Sequence, residues 1–370
     1  MRISPTFSTV SQMKKEVNDF ALVTSYGQDT GIHRYDTNLE RVMKFGGKYF
    51  FRFQKERKGK TMDGWETVNS TFPSSKVAYA FSFHFKSTWL RRIERFKHVH
   101  ITSTEFFHLA KWHSGLIGTV HDMYVTDPLL DFSNLYKNYF LNDLSYCDEL
   151  EGVICISNQT RLLFNNYFPK CNCKVIHHWT PIVFQHIDKD LARKKLSLPR
   201  NKFILMNVSS NSPNKNNWLL KEIVNSLDDS FLLIKIGQPE IMTYNPKRVI
   251  NIDQHISDDL LSLYYSASDL YLAPSFSDGF NYPIIESLNS GTPVIGSRIA
   301  VFKEVLKNSP FLFDPHNVRE WSDIIFSMKD KKAYKEIVEW YANNISDYYT
   351  ENKGRERMLE YYSSVGINVK

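Results

Sequence analysis

Two carboxylates, Asp278 and Glu286, stand eight residues apart in Asp278-Gly-Phe-Asn-Tyr-Pro-Ile-Ile-Glu286. Pro283 suits the first turn of a helix, where a missing N–H costs nothing. Ile284, Ile285 and Leu288 then form its apolar stripe, Glu286 falls on the edge of that stripe, and Gly291 ends the helix. The amides of Gly279 and Phe280, together with the helix start, suit a diphosphate or a sugar hydroxyl, and Asp278 adds an acceptor beside them. Singly, each acid has a plainer reading: Asp278 as a loop acid capping the helix, Glu286 as a solvated helix position. Three further polar stretches follow strand-like runs: residues 30–35, 119–123 and 209–216.

The elements that must position these residues alternate along the chain. Strand-sized apolar runs at 20–24, 48–53, 77–83, 99–102, 118–121, 153–157 and 174–177 are separated by helical spacing, as at 32–45, 134–150 and 158–167. A polar stretch, 179–201, carries Pro181 and Pro199 and reads as a linker. The alternation then restarts, with strands at 203–208, 231–236, 248–252, 270–274, 293–296 and 311–313. This predicts an α/β protein of two Rossmann-like, doubly wound parallel-sheet domains facing a cleft. Ligands in such sheets bind beyond the carboxyl ends of the strands, where the polar stretches lie.

Composition narrows the classes. The 370 residues are 42% hydrophobic and 23% charged, which excludes wholesale disorder. No apolar run approaches 18 residues, so no transmembrane helix is expected. Lys14, Lys15, Glu16 and Asp19 occupy the place where a signal peptide needs apolar residues, so a cytoplasmic location is expected. Four cysteines are too few for a disulfide scaffold, and Cys171-Asn-Cys173 lacks a second pair or His spacing, so no metal is expected. The net charge of +6 permits an anionic ligand without demanding nucleic acid. Basic residues interleave with rings over 41–60 and 83–100. That pattern suits peripheral contact with an anionic membrane or a lipid-linked acceptor, and equally a solvated face.

The stretch from Asp278 to Glu286, with Ser290-Gly-Thr-Pro-Val-Ile295, resembles the signature of glycosyltransferase family 4, the retaining GT-B enzymes. The resemblance implies that Asp278 contacts the donor sugar and Glu286 holds the ribose, with Gly279, Phe280, Asn281 and Thr292 also on the donor side. The family usually has Glu where Asp278 stands and Gly where Asn281 stands. Ser209-Ser-Asn-Ser-Pro-Asn-Lys-Asn216 resembles the family's basic loop, making Lys215 the diphosphate-binding lysine with Asn216 beside it. An Arg that the family often carries upstream is Ser210 here, leaving Arg34 or Arg298 to substitute.

Thr30-Gly-Ile-His-Arg-Tyr35 resembles the family's Gly-Ile-Gly-Arg-Tyr loop, with Gly31 near phosphates or acceptor. Thr119-Val-His-Asp-Met123 resembles Thr-Val-His-Asp-Leu, with His121 beside the reacting sugar, although His121 also reads as a core histidine. Ser157 reads as an N-cap, and no role attaches to His177-His178. The implied organisation is an acceptor domain over 1–180, a donor domain over 181–350, and a helix over 351–370 packing back on the first. The implied activity is hexose transfer from a UDP- or GDP-sugar to a glycan, lipid-linked or protein-linked hydroxyl, without cofactor. A nucleotide-sugar-binding protein, a GT-B hydrolase or epimerase, and a scaffold protein are the alternatives.

Overall fold

The computed structural model describes residues 19–25, 30–52, 64–69, 92–238, 241, 245–345 and 347–367. In chain order the first half runs β1 (Phe20–Thr24), α1 (Gly31–Val42), β2 (Gly47–Arg52), β3 (Glu66–Asn69), β4 (His98–Ile101), β5 (Leu116–Val120), α2 (Asn134–Leu144), β6 (Gly152–Cys155), α3 (Asn158–Tyr167) and β7 (Cys173–Val175). The second half runs α4 (Lys189–Lys195), β8 (Phe203–Val208), α5 (Asn217–Ser226), β9 (Phe231–Ile236), β10 (Val249–Ile252), α6 (Asp258–Ala267), β11 (Leu270–Ala273), α7 (Tyr282–Asn289), β12 (Val294–Ser297), α8 (Ala300–Val305), β13 (Leu312–Phe313), α9 (Val318–Ser327), α10 (Lys331–Asn344) and α11 (Glu351–Ser364).

Among the described residues the strands form two sheets, ordered β3-β2-β1-β4-β5-β6-β7 and β10-β9-β8-β11-β12-β13. Every pairing is parallel. Central strands such as β1 and β9 are buried along their whole length, as sheets covered on both faces require. In each sheet the order reverses once, between β1 and β4 and between β8 and β11, and a ligand crevice opens at such a switch point.

Several expectations are corrected. The strand expected at 77–83 lies outside the described residues. β3 went unpredicted because Glu66-Thr-Val-Asn69 is a polar edge strand in which Val68 is the one apolar residue. The expected linker contains α4, which Asp188 caps at the amide of Leu191. Its Arg193 is 5% exposed and donates to the carbonyl of Ala267 and to Asp269, so charge there marks a docked helix. Residues Thr104–Lys111 form a 3-10 helix that buries Phe106, Phe107 and Leu109. Helix α11 returns to the first sheet, where the Tyr362 hydroxyl lies 2.7 Å from His100 Nδ1.

Candidate active site

The carboxyl ends of the two sheets face one another across a cavity of about 1190 Å³. Of the residues singled out in the sequence, Gly31, His121, Lys215, Asp278, Gly279, Phe280, Asn281 and Glu286 line it. Asn216 and Thr292 do not.

The loop after β8 makes a single 3-10 turn, Pro213–Lys215, and ends at Asn216 in the left-handed region (φ 53°). The Asn216 side chain caps α5 at Leu219 N and donates to the carbonyls of Pro274 (3.0 Å) and Pro315 (2.8 Å). Asn216, expected on the donor side, thus has its side chain engaged in fixing its neighbour. Lys215 Nζ then sits 2.7 Å from Asp278 Oδ2. Below this loop Lys235, fully buried, donates to the carbonyls of Ser209, Ile236 and Gly237. Burial drags its pKa down to about 8.

The loop after β11 carries Asp278, whose Oδ2 also accepts from Asn281 Nδ2 at 2.9 Å. Asn281 has φ 75°, which explains the usual glycine there: asparagine is among the few other residues that tolerate this region. Gly279 approaches the other domain so closely that a Cβ would stand 2.5 Å from the His121 carbonyl oxygen. Its own carbonyl accepts from Ser157 Oγ at 3.1 Å, and the same Oγ caps α3 at Thr160 N, as the N-cap reading expected.

His121 follows β5 and is 8% exposed. Burial lowers its pKa to about 3, with a hydrogen bond to the Thr102 main chain acting the other way, so the ring is neutral. Nε2 has no hydrogen-bond partner. Its neighbour Asp122 caps the next turn at Tyr124 N, and burial raises its pKa to about 6. His178, for which no role was expected, also lines the cavity. Its ring stacks on Tyr282 (centroids 4.3 Å apart, 15°) and faces His121 at 5.6 Å. A long sequence separation hid this neighbourhood.

Glu286 is 1% exposed, not a solvated helix position. Its carboxylate meets Arg34 Nε at 2.9 Å and accepts from the Tyr265 hydroxyl at 3.0 Å. Burial pushes its pKa up, and Arg34 pulls it back. Arg34 binds Asp258 through both terminal nitrogens, at 3.0 and 2.8 Å. Arg298 stands outside the cavity, 3.3 Å from Glu320 and bonded to the carbonyl of Leu312. Thr292, expected on the donor side, is 2% exposed and donates to the carbonyl of Tyr265. Gly31 lies beside Tyr282 with ordinary room for a Cβ, so no close approach explains it here.

Outside the cleft, Cys147, Asp148 and Cys171 bring donor atoms within 4.8 Å of one another, a grouping that their sequence spacing did not suggest. Much of the basic surface, including 53–60 and 83–91, lies outside the described residues. Within them, Lys48 pairs with Glu40, Arg92 with Glu66, and Arg95 with the Tyr49 hydroxyl. Among the described residues no helix is long and apolar enough to cross a membrane.

Residues 188–344 match the family described as Glycosyl transferases group 1. The chain is 26% identical over 180 residues to the O-antigen chain mannosyltransferase RfbU of Salmonella typhimurium, covering 46% of this chain and 49% of that protein. It is 24% identical over 194 residues to an Escherichia coli UDP-Gal:alpha-D-GlcNAc-diphosphoundecaprenol alpha-1,3-galactosyltransferase, covering 48% and 50%. The chain thus spans about half the length of these two relatives. Among solved structures, sucrose-phosphate synthase from Thermosynechococcus elongatus superposes with a TM-score of 0.73 at 15% identity, over 94% of this chain and 98% of that one. HepE of Anabaena, in complex with UDP and glucose, does so with 0.73 at 16% identity, over 93% and 99%. The fold is GT-B.

Proposed function

We propose that this chain, whose residues 188–344 match the group 1 glycosyl transferases, transfers a hexose from a UDP- or GDP-sugar to an acceptor hydroxyl, with retention at the sugar carbon. One observation carries this reading: Lys215, Asp278 and Glu286 of one domain face His121 of the other across a single cavity. In it, Lys215 offsets the charge of the departing nucleoside diphosphate. An ammonium has three donors, so it holds Asp278 and phosphate oxygens together. Asp278 binds the sugar, and Glu286 the ribose. His121, neutral, offers a hydrogen bond beside the reacting carbon rather than a charge. The acceptor attacks the face that the diphosphate leaves, and catalysis is mostly positioning. No cofactor is called for, since Lys215 supplies the positive charge.

A lipid-linked acceptor is supported by the name of the galactosyltransferase relative, whose substrate is carried on diphosphoundecaprenol. Peripheral contact with an anionic membrane belongs to the same proposal. The test is mass spectrometry of products after incubation with a panel of UDP- and GDP-sugars and a pool of lipid and glycan acceptors. Lys215→Ala and Glu286→Ala are each expected to lower transfer by about 10²–10³. Unchanged turnover in either would overturn the site. Nucleotide release indifferent to acceptor would instead favour a hydrolase or epimerase, and binding without release a nucleotide-sugar binder.

A further inference from the structure

The charges lining the cavity do not favour its proposed ligand. Among the described residues that line it, Asp122, Asp253, Asp258, Asp278 and Glu286 are acids, and the formal cations are Lys215 and Arg34. Lys215 is shared with Asp278. A diphosphate entering such a space needs a cation turned towards it.

Arg34 is placed to turn. It lies in the first turns of α1, on the opposite domain from Lys215, and Thr30 caps that helix at the amide of His33. Its guanidinium holds Asp258 by two bonds and Glu286 by Nε, and its side chain keeps 21% of its exposure. Glu286 Oε1, by contrast, is sealed from solvent beneath it. Oε1 accepts no hydrogen bond and meets Nε only as an ion pair, so a ribose hydroxyl that bonds it must move the guanidinium aside. A guanidinium has five donor hydrogens, and the two bonds to Asp258 use two, so Arg34 can keep Asp258 as a pivot while the remainder seek another anion.

We propose that Arg34 is the second diphosphate-binding cation of the donor site, leaving Glu286 for the phosphate oxygens when the ribose of a nucleotide takes its place there. This rests on the glycosyltransferase reading above. It assigns to the amino-terminal domain the cation for which Ser210, on the same cavity, has no charge. Because Arg34 and Glu286 belong to opposite domains, the exchange ties this contact between the domains to a bound nucleoside.

Calorimetry with UDP, GDP, uridine and guanosine separates the possibilities. In Arg34→Gln the diphosphate is expected to bind about 10- to 100-fold more weakly, as loss of a charge-assisted bond implies, while the matching nucleoside binds as well or better. Ser210→Arg in that background is expected to recover part of the lost preference for diphosphate over nucleoside. Arg34→Lys, which keeps the charge, should retain most of that preference and serves if the Gln variant does not fold. A purely structural Arg34 would weaken nucleoside and diphosphate alike, and an unchanged ratio in Arg34→Gln overturns the assignment. If the unsubstituted chain takes up neither UDP nor GDP, the glycosyltransferase reading fails first, and this assignment falls with it.

Discussion

At the scale of single residues, the cleft holds groups whose ionisation its own geometry sets. Burial and the nearby Asp278 raise the Asp122 carboxyl to about 6, against the pull of the Tyr124 amide and Lys215. The native state therefore keeps this proton to a higher pH than the unfolded chain does, and stability from this group declines as pH rises from about 4 to about 6. Asp122→Asn keeps an acceptor for Tyr124 N and removes the titration. Urea unfolding at pH 4 and pH 7 is expected to shift in favour of the variant by on the order of 1–3 kcal/mol, and a constant difference would show that the carboxyl titrates normally. Asn281 teaches a related lesson. In the sequence it breaks the family pattern, but in the structure it meets the same left-handed demand and adds a bond to Asp278.

At the scale of elements, the loop between β8 and α5 shows how a motif is held. Lys215 points where it does because Asn216 turns the chain left-handed, caps the helix and bonds two distant carbonyls. Asn216→Ala removes all three functions and is expected to cost about 2–4 kcal/mol in chemical denaturation. Asn216→Gly restores only the backbone freedom and should recover roughly 1 kcal/mol of that. Equal losses in the two variants would mean that the left-handed turn carries no strain. Helix α4 is the opposite case, an element that its composition concealed. Arg193 makes the segment look solvated, yet its fork is spent on the carbonyls of Ala267 and Lys202 and on Asp269.

At the scale of the whole molecule, the two domains are joined by more than the chain. Glu304 of α8 accepts from the amides of Asn158 and Gln159 at the start of α3, and from His177. Helix α11 runs back across the first domain, with Gly354 against the ring of Trp179. A Cβ at 354 would stand 2.0 Å from Trp179 Cγ, and Trp179 is fully buried. Gly354→Ala is therefore expected to lower stability by about 1–3 kcal/mol through overpacking, read as a lower denaturant midpoint. An unshifted midpoint would mean that the helix can lift without loss.

Alternation of apolar runs and amphipathic stretches determined the two parallel sheets, because a strand covered on both faces must be apolar throughout, as Phe203–Val208 and Phe231–Ile236 largely are. Turn chemistry between Asp278 and Gly291 likewise placed a loop and a helix start locally. Strand β3, with a single buried apolar side chain, gave no such signal. The partners of the functional groups were decided only in three dimensions. Arg34 and Glu286 are 252 positions apart, and His178 meets Tyr282 across 104, so no local pattern records either pairing. Burial decides charge in the same way: what keeps His121 neutral and encloses Glu286 is the packing of two domains, which a linear sequence specifies but does not display.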